Sequence, residues 1–277
     1  MNVDLAKLDG LGQTAWLTAY CHHIAGERHG LERPVSSWLI EQAGPPPFAA
    51  RIHPRTLHGV ALRAKIMDTW LDDMLERQAG AGPITVLSIG AGFDSRWYGR
   101  LGKLPSLIRW IEVDRPGVLS AKSATLQGSG FHGPYAAVEQ RPGDLAHAPE
   151  DLIADLDGPV VTIAEGVIDY IERTGRDRLL SALRGKLQLA GLIMDSQNAI
   201  FQKLANAKIE SNTGSSAVRF AWAPRDPVAY FAAHGFTVSR SHSILPDLFR
   251  ISATLTERLA VSLLPPIRHG YRIFLAV

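Results

Sequence analysis

The sequence predicts an α/β fold: a doubly wound, mostly parallel sheet of seven strands carrying a helical N-terminal cap. Three observations lead there. From residue 84 onward, short β-branched runs alternate with helix-like stretches, the rhythm of βαβ units whose parallel sheet is covered on both faces. A turn bearing two glycines, Gly90-Ala91-Gly92, directly follows the first of those runs. Residues 1–80 instead repeat their apolar positions at three- and four-residue spacing, as helices do. With 277 residues, 46% hydrophobic and 20% charged, the chain can bury one large core, so residues 1–277 read as a single domain.

The elements follow in order. "TAWLTAYCHHIAG" (14–26) and "HGVALRAKIMDTWLDDMLERQ" (58–78) read as amphipathic helices of the cap, joined by the Pro-rich loop "AGPPPFAARIHPR". The core, 81–277, opens with the strand "ITVLSI" (84–89), the glycine turn and a helix after it. "IRWIEV" (108–113) is a second strand and "PGVLSAKSATLQ" its helix; a weaker strand lies near 135–139. "PVVTIA" (159–164) and "LAGLIMDS" (189–196) are the fourth and fifth strands, with a helix to about 186 between them. "TVSRSH" and the closing "YRIFLAV" suggest a terminal antiparallel pair, separated by a long helical segment stopped at Pro265-Pro266. Residues around 197–225 fit no core element and read as an insertion that shapes a substrate pocket.

Charge and composition exclude several function classes. The net charge is +2 with no Lys/Arg run, which predicts no nucleic-acid or membrane partner. No uncharged apolar run approaches the roughly 18 residues of a membrane helix, and the opening residues lack the apolar core of a signal peptide. Cys21 is the single cysteine, so no intrachain disulfide forms and a cytoplasmic location is expected.

The glycine turn is the natural ligand site, because open α/β sheets bind ligands beyond the carboxyl ends of their strands. A dinucleotide fingerprint needs a third glycine at position 95, where Ser95 stands, and no Gly-Lys-Ser/Thr phosphate loop is present. Asp114 ends the second strand, where a carboxylate can accept both hydroxyls of a ribose. That spacing alone fits either NAD or S-adenosyl-L-methionine. Asp94, Asp144 and Glu165 add acids to the same strand-end rim, a lining hostile to a pyrophosphate and favourable to a sulfonium and an ammonium.

Four blocks, "VLSIGAGFDSRWYGRL", "IEVDRPGVLSAKSATL", "GDL" and "TIAEGVIDYI", occur in an order and spacing that resembles the leucine carboxyl methyltransferase family. The likeness extends to its bacterial branch of tetracenomycin-type polyketide O-methyltransferases. "ALRAKIMDTWL" is similar to the family's Arg-Thr-x-x-x-Asp helix, and "GQTAWLTAY" to its N-terminal opening. The resemblance implies a Rossmann-like class I methyltransferase that uses S-adenosyl-L-methionine in secondary-metabolite biosynthesis. It implies that Arg63 pairs with the cofactor's carboxylate and that Gly90, Ala91 and Gly92 approach its methionine portion. Asp114 would hold the ribose, Asp144 and Leu145 would lie around the adenine, and Glu165 and Gly166 near the amino and sulfonium end, with Asp94 and Arg115 also counted as cofactor-binding. Tyr170 matches an aromatic that borders the acceptor. His22 stands where the bacterial branch usually has Arg, Ser95 where Thr is usual, and "PVSSWLIEQ" where an acidic Asp-Pro segment is expected.

Methyl transfer from a sulfonium is an in-line displacement in which alignment does most of the catalysis, so no metal or invariant nucleophile is expected. "CHH" (21–23) is a poor metal motif because adjacent helical residues point apart. A carboxylate acceptor is already ionised at neutral pH, whereas a phenol with a pKa of about 10 wants a base. His22, with its neighbour His23, is the candidate base, and a carboxyl acceptor is placed slightly ahead of a hydroxyl. Two other readings stay open: a protein that binds the cofactor but has lost or repurposed the transfer, and an NAD(P)-dependent oxidoreductase. The acceptor and the oligomeric state are not legible.

Overall fold

The computed structural model describes every residue except 1–4, 6–7, 32, 79–81, 104–107, 214–218 and 253. Three helices come first: α1 (Gly10–Ala25), α2 (Pro34–Ala43) and α3 (Pro54–Gln78). The core then runs β1 (Ile84–Ile89), α4 (Arg100–Lys103), β2 (Ile108–Asp114), α5 (Pro116–Leu126), α6 (His132–Tyr135), β3 (Glu139–Pro142) and α7 (Pro149–Leu152). It continues with β4 (Pro159–Ala164), α8 (Arg173–Lys186), β5 (Gln188–Gln197), α9 (Ala199–Thr213), α10 (Pro227–Ala233) and β6 (Val238–Ser243). It closes with α11 (Ile244–Ser252), α12 (Leu255–Leu263), α13 (Pro265–Arg268) and β7 (Tyr271–Ala276).

One seven-stranded sheet has the order β3-β2-β1-β4-β5-β7-β6. β1 pairs in parallel with both β2 and β4, while β7 lies antiparallel between β5 and β6. Every residue of β1 is buried, as a central strand covered on both faces requires. The pleat sends Ile84 and Val86 to one face, against Met67, Leu71 and Met74 of α3. Leu87 and Ile89 go to the other, with Leu179, Leu180 and Leu183 of α8. Strand order reverses between β1 and β4, which opens the crevice in which such sheets bind ligands.

Three expectations are corrected. The helix after the glycine turn is only the four-residue α4; residues 91–99 stay in turns because Asp94 accepts from the Arg96 amide at 3.1 Å and Trp97 packs into the core. β3 lies at Glu139–Pro142 rather than 135–139, because Tyr135 ends α6 with its ring buried. The long helical segment is broken into α11 and α12, and Pro265-Pro266, which follow the end of α12 as a stop, also open α13, since a proline in the first turn gives up no helical hydrogen bond. Among the described residues no helix is long and apolar enough to cross a membrane.

Candidate functional site

A cavity of about 330 Å³ lies at the carboxyl ends of β1, β2 and β4, and one stripe of α1 walls it with Leu11, Thr14, Ala15, Thr18, Ala19 and His22. Those positions repeat at three and four residues, so a single helix face covers the glycine turn. Gly90 and Gly92 both adopt left-handed φ, +61° and +50°. A side chain at Gly90 would collide with Val167 at 2.2 Å, and one at Gly92 would press on Ala15 at 3.0 Å. The turn is therefore clamped between the cap and the loop that follows β4.

The amides of the turn are already engaged. Gly90 and Ala91 donate to the carbonyl of Val113 at 2.8 and 3.2 Å, and Gly92 donates to Asp114 Oδ2 at 2.6 Å. Asp114 Oδ1 accepts from the Arg115 amide at 2.7 Å. Burial pushes the Asp114 carboxyl up, against these hydrogen bonds. Arg115 pairs with Asp9, the N-cap of α1, and so ties the cap to the end of β2.

The expected residues divide into two groups. Gly90, Ala91, Gly92, Asp94, Asp114, Arg115, Asp144, Leu145, Glu165, Gly166, Tyr170 and His22 all line the cavity. Asp144 is half-exposed and holds His147 at 2.9 Å. Tyr170 packs its ring 4.8 Å from Phe220, and burial raises its phenol to about 12. Arg63 sits behind the lining, against Gly166 and Glu165. Its guanidinium reaches Glu165 at 2.9 Å, Asp195 at 3.2 Å and the Tyr271 hydroxyl at 2.5 Å. Gly166, at φ +65°, donates its amide to Asp195 at 2.6 Å.

Sequence reasoning missed the centre of this arrangement. Arg96 is 2% exposed and spans three carboxylates: Asp68 at 2.6 Å, Asp94 at 3.0 Å and Glu165. Arg33 adds a second bond to Asp68 at 2.5 Å. Within this network three guanidinium groups, Arg33, Arg63 and Arg96, meet four carboxylates, Asp68, Asp94, Glu165 and Asp195. The expectation of a rim made negative by Asp94, Asp114, Asp144 and Glu165 is thereby corrected in part: Asp94 and Glu165 are paired with arginines. Faint signals existed, namely a charge inside the apolar run "LIMDS" and the Asp68 of the Arg-x-x-x-x-Asp helix.

The network sets a pH dependence. Arginines beside them overcome burial and hold Asp68 below and Glu165 well below the usual carboxylate range. Both carboxyls therefore stabilise the fold above their unfolded pKa and lose that contribution as pH falls below about 4. Burial instead raises Glu112 to about 7 and Asp169 to about 6, so the folded state binds protons first and stability rises as pH falls from 7 towards 5. Denaturant midpoints measured from pH 8 to 3 are expected to peak near pH 5 and to drop steeply below pH 4.

A family model described as leucine carboxyl methyltransferase matches residues 27–184, more than half of the chain. The chain belongs to the leucine carboxyl methyltransferase family. A Parafrankia sp. (strain EAN1pec) protein, provisionally named as an S-adenosyl-L-methionine-dependent methyltransferase, is 32% identical over 190 residues, 62% of this chain and 58% of that one. The Gibberella zeae S-adenosyl-L-methionine-dependent methyltransferase dpfgK is 27% identical over 178 residues, 61% of this chain and 57% of its own length. The matched part thus spans less than two thirds of these relatives. A DUF574 family protein from Streptomyces avermitilis shares the fold, with a TM-score of 0.58 at 13% identity over 95% of this chain and 96% of that one. The family match contains every residue singled out here from Arg63 to Tyr170, whereas α1 and His22 lie before it. Among the described residues, no group of three or more His, Cys, Asp or Glu is placed to hold a metal.

Proposed function

We propose that this leucine carboxyl methyltransferase family member is an S-adenosyl-L-methionine-dependent O-methyltransferase acting on a small carboxylic or hydroxylic molecule, cytoplasmic and serving secondary metabolism. One observation carries the reading: the three amides of the glycine turn are spent inside the protein. A diphosphate would need such amides free and aimed outward. A ligand that asks the turn only for van der Waals contact suits it better, and Gly90, Ala91 and Gly92 all line the cavity where that contact would be made.

The residues fit the cofactor. Asp114, at the end of β2, faces the cavity and keeps acceptor capacity for ribose hydroxyls beyond its two backbone bonds. Leu145 and Ala146 offer an apolar wall for the adenine, with Asp144 at the mouth. Glu165 and Gly166 would border the amino and sulfonium end, with Arg63 behind them for the carboxylate as the resemblance implies. When bound, the cofactor supplies an electrophilic methyl group; the chain's part is to align the acceptor and exclude water. In this reading the helices of the N-terminal cap act as the lid, and the acceptor side lies where Tyr170, which lines the cavity, packs against Phe220 of the segment around 197–225.

Incubation with methyl-labelled cofactor and a panel of aromatic alcohols and acids is expected to give a labelled methyl ether or ester. Tight binding of the cofactor without a labelled product across the panel and host extracts would instead favour a binding protein that no longer transfers the group.

A further inference from the structure

His22 is 5% exposed, lines the cavity, and its Nε2 has no hydrogen-bond partner among the described residues. A buried imidazole nitrogen left unpaired is costly unless a ligand completes it. Nε2 also lies 3.9 Å from Glu165 Oε1, so a proton arriving there would meet a negative charge. The cations that line the same cavity are committed elsewhere, Arg96 to three carboxylates and Arg115 to Asp9. Glu172 adds an acid to the lining. An anionic acceptor thus meets no uncommitted charge partner among the described lining residues, while a neutral hydroxyl meets an imidazole ready to accept its proton.

We propose that the acceptor is a hydroxyl group of phenolic or enolic acidity, not a carboxylate, and that His22 is the catalytic base that removes its proton. The inference rests on the methyltransferase reading above and reverses the acceptor preference drawn from sequence. As the new oxygen–carbon bond forms, the carbon–sulfur bond of the donor breaks with its electron pair left on sulfur, and the hydroxyl proton passes to Nε2. The groups facing His22 are Glu165 at the end of β4, Arg33 at the head of α2 and Arg96 from the glycine turn. Burial outweighs Glu165 and keeps the imidazole below its ordinary range, so it is neutral at pH 7 and can take up a proton rather than already carrying one.

The test uses 1-naphthol and 1-naphthoic acid as matched acceptors with methyl-labelled cofactor, comparing wild type with His22→Ala and His22→Gln. S-adenosylhomocysteine binding by each protein serves as the control for folding and for the cofactor site. Label is expected on naphthol in preference to naphthoate. Both variants should lose about 10²- to 10⁴-fold in kcat at pH 7. The deficit should shrink as pH approaches the ionisation of the phenol, because hydroxide-driven ionisation then replaces the missing base. Proteins that bind S-adenosylhomocysteine but label naphthoate alone, label neither acceptor, or turn naphthol over without His22 at the wild-type rate would overturn the proposal. Failure of wild type to bind S-adenosylhomocysteine would instead overturn the methyltransferase reading itself.

Discussion

Replacing Arg96 with alanine is expected to destabilise the protein by about 3–5 kcal/mol, the usual cost of removing one partner from a buried ion pair. The guanidinium is almost fully buried and joins α3 through Asp68, the glycine turn through Asp94, and the end of β4 through Glu165. Its loss leaves Asp94 without its ion pair and Asp68 and Glu165 with one close arginine each, Arg33 and Arg63, so buried negative charge is in excess and is relieved only by taking up protons. Guanidinium chloride unfolding at pH 7 should therefore show a lower midpoint, and the gap from wild type should narrow towards pH 4 as those carboxyls protonate. Arg96→Lys should recover little, because a single ammonium cannot bridge three acceptors set around a planar fork. A loss below 1 kcal/mol would mean that the network is incidental to the fold.

The second large effect is on binding. Asp114→Ala is expected to weaken S-adenosylhomocysteine by about 10- to 100-fold, since hydrogen bonds to a charged group contribute roughly 1.5–3 kcal/mol. Two consequences combine there. The ribose loses its acceptor, and the Gly92 amide, now unpaired, no longer fixes the turn against the end of β2. Asp114→Asn keeps one carbonyl oxygen for Gly92 and should fall between wild type and alanine. Unfolding midpoints should move far less than they do for Arg96→Ala, because Asp114 lies at the rim and forms no ion pair with the buried arginines.

What the sequence disclosed follows from the range of the forces involved. β1, β4 and the closing strand β7 were legible because each is a local run rich in β-branched or apolar residues. Gly90, Gly92 and Asp114 were legible for a similar reason: strand, turn and strand end recur at fixed spacing in this class of sheet. Arg96 was not, although it stands two residues after Asp94, because its partner Asp68 lies 28 residues away and a solvated charge looks the same on paper. Arg63 and Asp195 are separated by 132 residues. Their pairing exists only once α3 has packed across β5. His22 was legible as a histidine on a helix face, but its unpaired Nε2 depends on which groups the fold leaves out of reach.

The cap also acquires a physical role that periodicity alone did not supply. One face of α1 walls the cavity, Ala15 bears on Gly92, and Asp9 holds Arg115 beside Asp114. In the proposed reading, cofactor access is tied to the seating of that helix, which also carries the residue proposed as base.

The central claim is that the crevice beyond β1 and β2 holds an adenosyl thioether and not a diphosphate. Calorimetric titration of the wild-type protein with S-adenosylhomocysteine, and separately with NAD, tests it most directly. The account predicts saturable one-to-one binding of the first and none of the second, with the first signal weakened in Asp114→Ala. Binding of NAD alone, or equal binding of S-adenosylhomocysteine by wild type and Asp114→Ala, would contradict it.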